Sequence, residues 1–229
     1  MQIFEIEGID QLCAKSLFKP GNTIAETLLK VVDFPWQALS NICGFVKEIG
    51  PSLNPLDFDN PRPGVWIHKT AVVAESAFIG ENVIIGEGAE IRHCAFIRNS
   101  AVVGKGAVVG NSTELKNVIL FDCVQVPHYN YIGDSILGYK AHMGAGAVTS
   151  NVKSDKTPVT VTFNNTKVPT GLKKFGAILG DEVEIGCGSV LNPGSIIGKY
   201  THVYPLSMVR GFVPEKSIYK KQGEIVQKK

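Results

Sequence analysis

Seven polar residues recur in order along the middle of the chain: Arg98, Glu114, Lys116, His128, Tyr131, Asn151 and Lys174. Their types suit one kind of chemistry. An unperturbed histidine titrates at about pH 6.5, so it can take a proton from a nucleophile near neutral pH. Arginine meets a phosphate through a two-pronged fork and lysine meets it as a point charge. Tyr131 and Asn151 can add neutral donors. Four of the seven lie in one stretch, ELKNVILFDCVQVPHYNYIGD, residues 114–134. Whether they can meet depends on the elements that hold this stretch.

Those elements are announced by a period of six. Ile67, Val73, Ile79, Ile85, Ile91, Ile97, Val103, Val109 and Leu115 follow one another at that spacing. A second column four residues later runs Ala71, Ala77, Val83, Ala89, Ala95, Ala101, Ala107 and Thr113. The first column stops after Leu115, resumes at Leu137 and Met143, stops near Ser150, and returns as Leu179, Ile185, Leu191, Ile197, Val203 and Val209. Six residues per repeat would carry an apolar column around a helix of 3.6 residues per turn, and a half-buried strand would alternate in twos. A fixed short period with glycine at the turns indicates an all-β solenoid, a parallel β-helix built from hexapeptides. Each coil then buries its side chains against the next. On this reading, the chain bends out of the prism between Leu115 and Leu137 and puts polar side chains on the surface.

The solenoid is expected over residues 63–215, with an inserted loop at 150–176. In that loop Val159, Val161 and Phe163 alternate, Asn164-Asn165 can turn, and Lys167-Val168-Pro169 can return as a second strand. Residues 1–62 read as a small helical cap and linker. Thr23 and Glu26 have capping-box spacing, Ile24, Leu28 and Val32 share a face, and Trp36, Leu39, Cys43, Val46 and Ile49 line a second helix. The cap is expected over an open end of the solenoid. Residues 216–229 read as a solvated tail. Of the 229 residues, 44% are hydrophobic, the net charge is +2, and basic residues are scattered, which argues against a nucleic-acid or membrane-surface protein. No run of about 18 apolar residues occurs, so no membrane span is expected. Cys13, Cys43, Cys94, Cys123 and Cys187 form no C-x-x-C pair, and MQIFEIEGIDQL lacks the layout of a signal peptide; a cytoplasmic protein with free thiols is expected.

In order and spacing, the polar residues resemble the hexapeptide-repeat, left-handed β-helix acyltransferases. From about Ala95 to Pro205 the series is Arg98, Glu114-Leu115-Lys116, His128 to Asp134, Gly144-Ala145-Gly146, Thr149-Ser150-Asn151 and Lys173-Lys174-Phe175. This looks like the acetyltransferase half of the bifunctional glucosamine-1-phosphate acetyltransferase/N-acetylglucosamine-1-phosphate uridyltransferases. It is closer still to the C-terminal half of archaeal sugar-1-phosphate nucleotidyltransferases with amino-sugar acetyltransferase activity. The resemblance implies a left-handed wind, a homotrimer with sites at the subunit seams, and acetyl-CoA as co-substrate. It implies that Arg98 and Lys116 hold the phosphate of an amino-sugar phosphate such as glucosamine 1-phosphate, with Tyr131 adding a hydroxyl. It further implies His128 as general base, Glu114 and Asn151 positioning the sugar, Lys174 reaching in from the loop, and acetyl-CoA running past His142, Cys187 and Pro205.

The chemistry agrees with this assignment. An amine that attacks a thioester must lose a proton, and a backbone N–H aimed at the thioester oxygen stabilises the tetrahedral oxyanion. No metal is required, although Mg²⁺ beside the phosphate is compatible with it. The sequence also departs from the family pattern. Residues 1–62 contain no Gly-rich nucleotide loop, so nucleotide transfer is not expected. His142 replaces an Asn, Cys187 a Ser, and Val152-Lys153 a Tyr-Asp, which leaves the acceptor sugar more open than the reaction. Three other readings are weaker. A zinc carbonic anhydrase needs a close pair of histidines, which is absent. A non-catalytic trimerising or regulatory module would have no use for a base, and an acyl-carrier-protein-dependent acyltransferase would show a wide basic surface.

Overall fold

The protein is described by a computed structural model over residues 6–221 and 224–227. Short strands stack in parallel on three faces of a prism, wound left-handed. On the first face Val65, Val83, Ala101, Val118 and Ser135 stand in register, continued by Ala177–Leu179, Ser195–Ile197 and Phe212–Val213. The second face carries Val72, Glu90, Val108, Gln125, His142, Glu184, His202 and Ile218. The third carries Phe78, Phe96, Glu114, Tyr131, Val148, Val190 and Met208. Ile85, Ile91, Ile97, Val103, Val109 and Leu115, the hexad column, are at most 1% exposed and form the interior.

Three rows of left-handed residues make the edges. Asn82, Ser100, Asn117 and Asp134, with φ from 47° to 55°, turn the chain from the third face to the first. Cys94, Ser112, Tyr129, Gly146, Gly188 and Leu206 turn it from the second to the third. Small and polar residues dominate these rows because Gly, Asn and Asp tolerate positive φ best. Coils also approach closely at fixed points. A Cβ added at Gly110 would overlap the carbonyl of Pro127 one coil away. Gly110→Ala is therefore expected to lower stability by about 1–3 kcal/mol, read as an earlier thermal midpoint.

The stretch 114–134 stays inside the prism, contrary to the expectation that the chain bends out there. Leu115, Leu120, Val126, Ile132 and Leu137 are all fully buried. Pairing of Ile97 with Leu115 and of Ala101 with Val118 leaves three corner residues in one coil and only Lys116 and Asn117 in the next. The following corner, Gly133-Asp134, is equally short. Two steps of five replace two of six, so the hexad phase is lost in the sequence while the packing continues.

The helical segment is corrected in position as well. It lies along the first face and not over an open end. Strand alternation turns Ile84, Val102, Ile119, Ile136, Ile178 and Ile196 outward, yet each is at most 1% exposed. Helix Ile42–Ile49 packs across the strands Phe78–Ile85, Phe96–Val103 and Glu114–Leu120, and the 3₁₀ turn Pro35–Asn41 packs on Tyr131–Leu137. The Leu17 carbonyl accepts the N–H of Asp181 at 3.1 Å, which anchors the segment further along the prism. An outward apolar column of this length must be covered, since burying each such side chain is worth about 1.5–3 kcal/mol. The first coil is instead closed by Phe58–Arg62, antiparallel to Val65–His68. Because Pro35–Asn41 is a 3₁₀ turn, the apolar phase shifts: Ile42 and Phe45 join Val46 inside, while Cys43 is half-buried.

In the inserted loop, Thr160–Phe163 pairs with Thr166–Pro169, and the Phe163 ring lies 5.2 Å from Phe212. The hairpin thus covers the last coils of the first face. Ser217–Lys221, read from the sequence as the start of a tail, stacks on His202–Val203 and pairs antiparallel with Glu224–Gln227. Among the described residues no helix is long and apolar enough to cross a membrane.

Candidate active site

Most of the predicted residues lie on the third face and its two edges, while His142 lies on the second face and Lys174 on the inserted loop. Glu114 and Tyr131 are neighbours in register on the face itself. Arg98, one coil earlier, donates from Nη1 to Glu114 Oε1 at 3.1 Å, both partly exposed. The short corners set the remaining group at the edge towards the first face. Lys116 Nζ donates to both carboxylate oxygens of Asp134, at 3.1 and 2.9 Å. Asn151 Nδ2 donates to Asp134 Oδ2 and, at 3.3 Å, to the Tyr131 hydroxyl. Burial, then the negative charges of Glu114 and Asp134, push the Tyr131 phenol above its usual range, so it remains a hydroxyl donor. Lys174 is exposed on the returning end of the loop. Its neighbour Phe175 donates its N–H to the Asn151 carbonyl at 2.9 Å, which ties the loop backbone next to Lys174 to Asn151.

His128 stands at the opposite edge, exposed, three residues before Tyr131. The chain turns between them at left-handed Tyr129, so roughly 10 Å is the upper limit of that separation. Buried Asn130 shapes this corner: its Oδ1 accepts the His128 N–H at 3.1 Å, and its Nδ2 donates to the carbonyls of Gly144 and Ala147 at 2.8 and 3.0 Å. The His128 ring makes no hydrogen bond to another described residue. Along the same edge run Ala145, Cys187 and Pro205, one coil after another. The links are Gly146 N–H to the His128 carbonyl at 3.0 Å, Gly188 N–H to Ala145 at 2.9 Å, and Leu206 N–H to Cys187 at 2.9 Å. At about 4.8 Å per coil, His128 and Pro205 are roughly 14 Å apart. Cys187 is exposed on this edge.

His142 is separate from that row. It lies on the second face, where its Nδ1 is 2.7 Å from Glu184 Oε2 of the coil above. Lys116 is half-buried, with its charge paired to Asp134. Asp134, Asn117 and Asn130 received no role in the sequence reading, although Asp134 stood in the motif. Their left-handed or buried corner positions become visible only once the two five-residue steps are recognised. A cavity of about 560 Å³ between the N-terminal segment and Phe121 contains none of the predicted residues. Among the described residues, no group of His, Cys, Asp and Glu is arranged to hold a metal ion.

The chain was compared with known proteins. No family model matches it. It is 34% identical over 119 residues to the bifunctional protein GlmU of Methanococcus vannielii, covering 52% of this chain and 28% of that protein. It is 32% identical over 98 residues to a bifunctional sugar-1-phosphate nucleotidylyltransferase/acetyltransferase of Sulfurisphaera tokodaii, covering 43% of this chain and 24% of that one. The chain resembles the hexapeptide-repeat acetyltransferases. It spans less than a third of the length of these curated relatives. A solved hexapeptide transferase family protein from Anaplasma phagocytophilum is 15% identical with a TM-score of 0.36, covering 72% of this chain and 79% of that one. At that level the hexapeptide-repeat fold rests on the strand register described above.

Proposed function

We propose that this chain is an acetyl-CoA-dependent N-acetyltransferase that acts on an amino-sugar phosphate, with glucosamine 1-phosphate as the first acceptor to test. The observation that carries the reading is the division of the third face. A proton acceptor, His128, stands at one edge, and the cationic group of Arg98 and Lys116, with Tyr131 and Asn151, stands at the other. In glucosamine 1-phosphate the 2-amine and the 1-phosphate stand on adjacent carbons, so the acceptor would lie across the middle of the face, with the His128 ring reaching its amine from one edge and the long Arg98 and Lys116 side chains reaching its phosphate from the other. Similarity to a protein named as a bifunctional sugar-1-phosphate nucleotidylyltransferase/acetyltransferase supports an acceptor of the sugar-phosphate class.

The exposed edge formed by His128, Ala145, Cys187 and Pro205 is the proposed track for the extended arm of acetyl-CoA; His142 borders it from the second face. His128 takes the proton as the amine nitrogen attacks the thioester carbon. The tetrahedral intermediate then collapses, the C–S bond breaks, and the CoA thiolate leaves and is protonated. Glu114 and Asn151 orient the sugar, and Lys174 adds charge from the loop. The reading includes a homotrimer. The first face is sealed by the chain's own helices and hairpin, so the second and third faces, with His128 between them, are those open to another copy. A cytoplasmic location follows the five cysteines.

The test is acetyl-CoA-dependent thiol release with glucosamine 1-phosphate, galactosamine 1-phosphate and UDP-glucosamine as separate acceptors. Release that depends on one amine acceptor supports the reading and ranks the sugars. Acetyl-CoA binding without release would redirect it to a different acceptor. Absence of both would leave a non-catalytic trimerising module.

A further inference from the structure

Asp134 is nearly inaccessible, at 5% exposure, and its backbone is left-handed with φ 47°. A buried carboxylate is costly unless its oxygens are matched by donors. Here all of its acceptor capacity is used from within the protein. Oδ1 accepts from Lys116 Nζ and, at 3.0 Å, from Asn117 Nδ2; Oδ2 accepts from Lys116 Nζ and Asn151 Nδ2. Its main-chain carbonyl accepts the N–H of Gly176 at 2.9 Å. The two ends of the inserted loop, Asn151 and Gly176, therefore converge on one residue. Asn117 extends the network outward, since its Nδ2 also reaches the Leu39 carbonyl of the helical segment at 3.0 Å.

We propose that Asp134 is a positioning residue for the acceptor side of the site. It orients Lys116 and Asn151, and through Asn151 the Tyr131 hydroxyl, while touching no substrate itself. This proposal rests on the acetyltransferase reading given above. Two donors of the Lys116 ammonium are taken up by Asp134, which leaves one for an anion. The same carboxylate closes the base of the loop that carries Lys174. Without it, Lys116 keeps its charge but loses its aim, and Asn151 loses the partner that holds it against Tyr131.

The test is Asp134→Asn, chosen because Asn accepts the left-handed backbone. The variant should raise KM for the phosphorylated acceptor roughly 10- to 100-fold, as expected for misplaced positioning groups. KM for acetyl-CoA should stay within about threefold. In Lys116→Met the acceptor KM also rises, and adding Asp134→Asn to that variant should raise it by clearly less than the product of the two single effects, because part of the Asp134 effect acts through Lys116 and only the part through Asn151 remains. Independent, multiplying effects, or an equal loss for acetyl-CoA, would overturn the proposal. If wild type releases thiol with no acceptor, the acetyltransferase reading fails separately. The positioning role is then judged by amine labelling of Lys116 under conditions that spare folded structure. Lys116 should be protected in wild type and reactive in Asp134→Asn, and equal labelling would overturn the role.

Discussion

Replacing His128 by Ala is expected to lower acceptor-dependent thiol release by about 10²- to 10⁴-fold, the usual contribution of a positioned general base. The substitution is unusually clean at this position. The ring is exposed and bonds to no described residue, while the corner itself is held by Asn130 through the main chain of His128, Gly144 and Ala147. The thermal midpoint should therefore remain close to that of wild type, because surface substitutions of this kind change stability by roughly half a kcal/mol or less. Acetyl-CoA affinity should also hold, since Ala145, Cys187 and Pro205 are untouched. The expected pattern is thus a fall in kcat with an unchanged melting curve. A variant that retains more than about a tenth of the wild-type rate would remove His128 from the base role.

Trp36→Ala is expected to have the largest effect on stability. The indole is 2% exposed, lies 4.5 Å from the Phe34 ring in a parallel stack, and lies 6.1 Å from Phe175. Truncating a buried Trp costs about 3–5 kcal/mol through lost burial and the cavity left behind. For a chain of this size that corresponds to a fall of roughly 6–20 °C in the thermal midpoint. A second consequence follows from the contact with Phe175. That residue pins the loop beside Asn151 through its N–H, so loosening its ring frees the loop end that carries Lys174, the residue proposed to add charge at the acceptor. At a temperature where the variant is folded, the acceptor KM should rise while that for acetyl-CoA does not. An unchanged melting curve would show that the helical segment adds little to the prism. A lowered midpoint with unaltered KM would separate the cover from the site.

The architecture was legible because it is written locally and repeatedly. Each hexad from Ile67 to Leu115 states the same choice of an inward aliphatic, a small residue and a corner, so one coil predicts the next. The candidate residues could be named because the order and spacing of Lys116, His128, Tyr131 and Asn151 resemble the acyltransferase pattern, since residue type alone would not separate them from other polar side chains on the surface. The two five-residue steps were harder to see. A single deletion in a corner shifts the phase of the entire column, although the buried side chains Leu115, Leu120 and Leu137 continue without a gap.

What depended on tertiary structure was which surfaces meet. The sequence marks residues 23–50 as amphipathic, but an apolar stripe does not say what it covers. Only stacking of the coils reveals the outward column from Ile84 to Ile196 that the helical segment and the hairpin cover. The site network is also long-range. Asp134 joins residues 17 and 18 positions away, and Asn117 reaches one 78 positions away, bonds that exist only because successive coils lie about 4.8 Å apart. Composition and spacing therefore determined the coil and the kinds of side chain on its surface. The register of one coil on the next decided that Lys116 is held by Asp134, that His128 stands at the far edge of the same face, and that the helical segment lies along the prism.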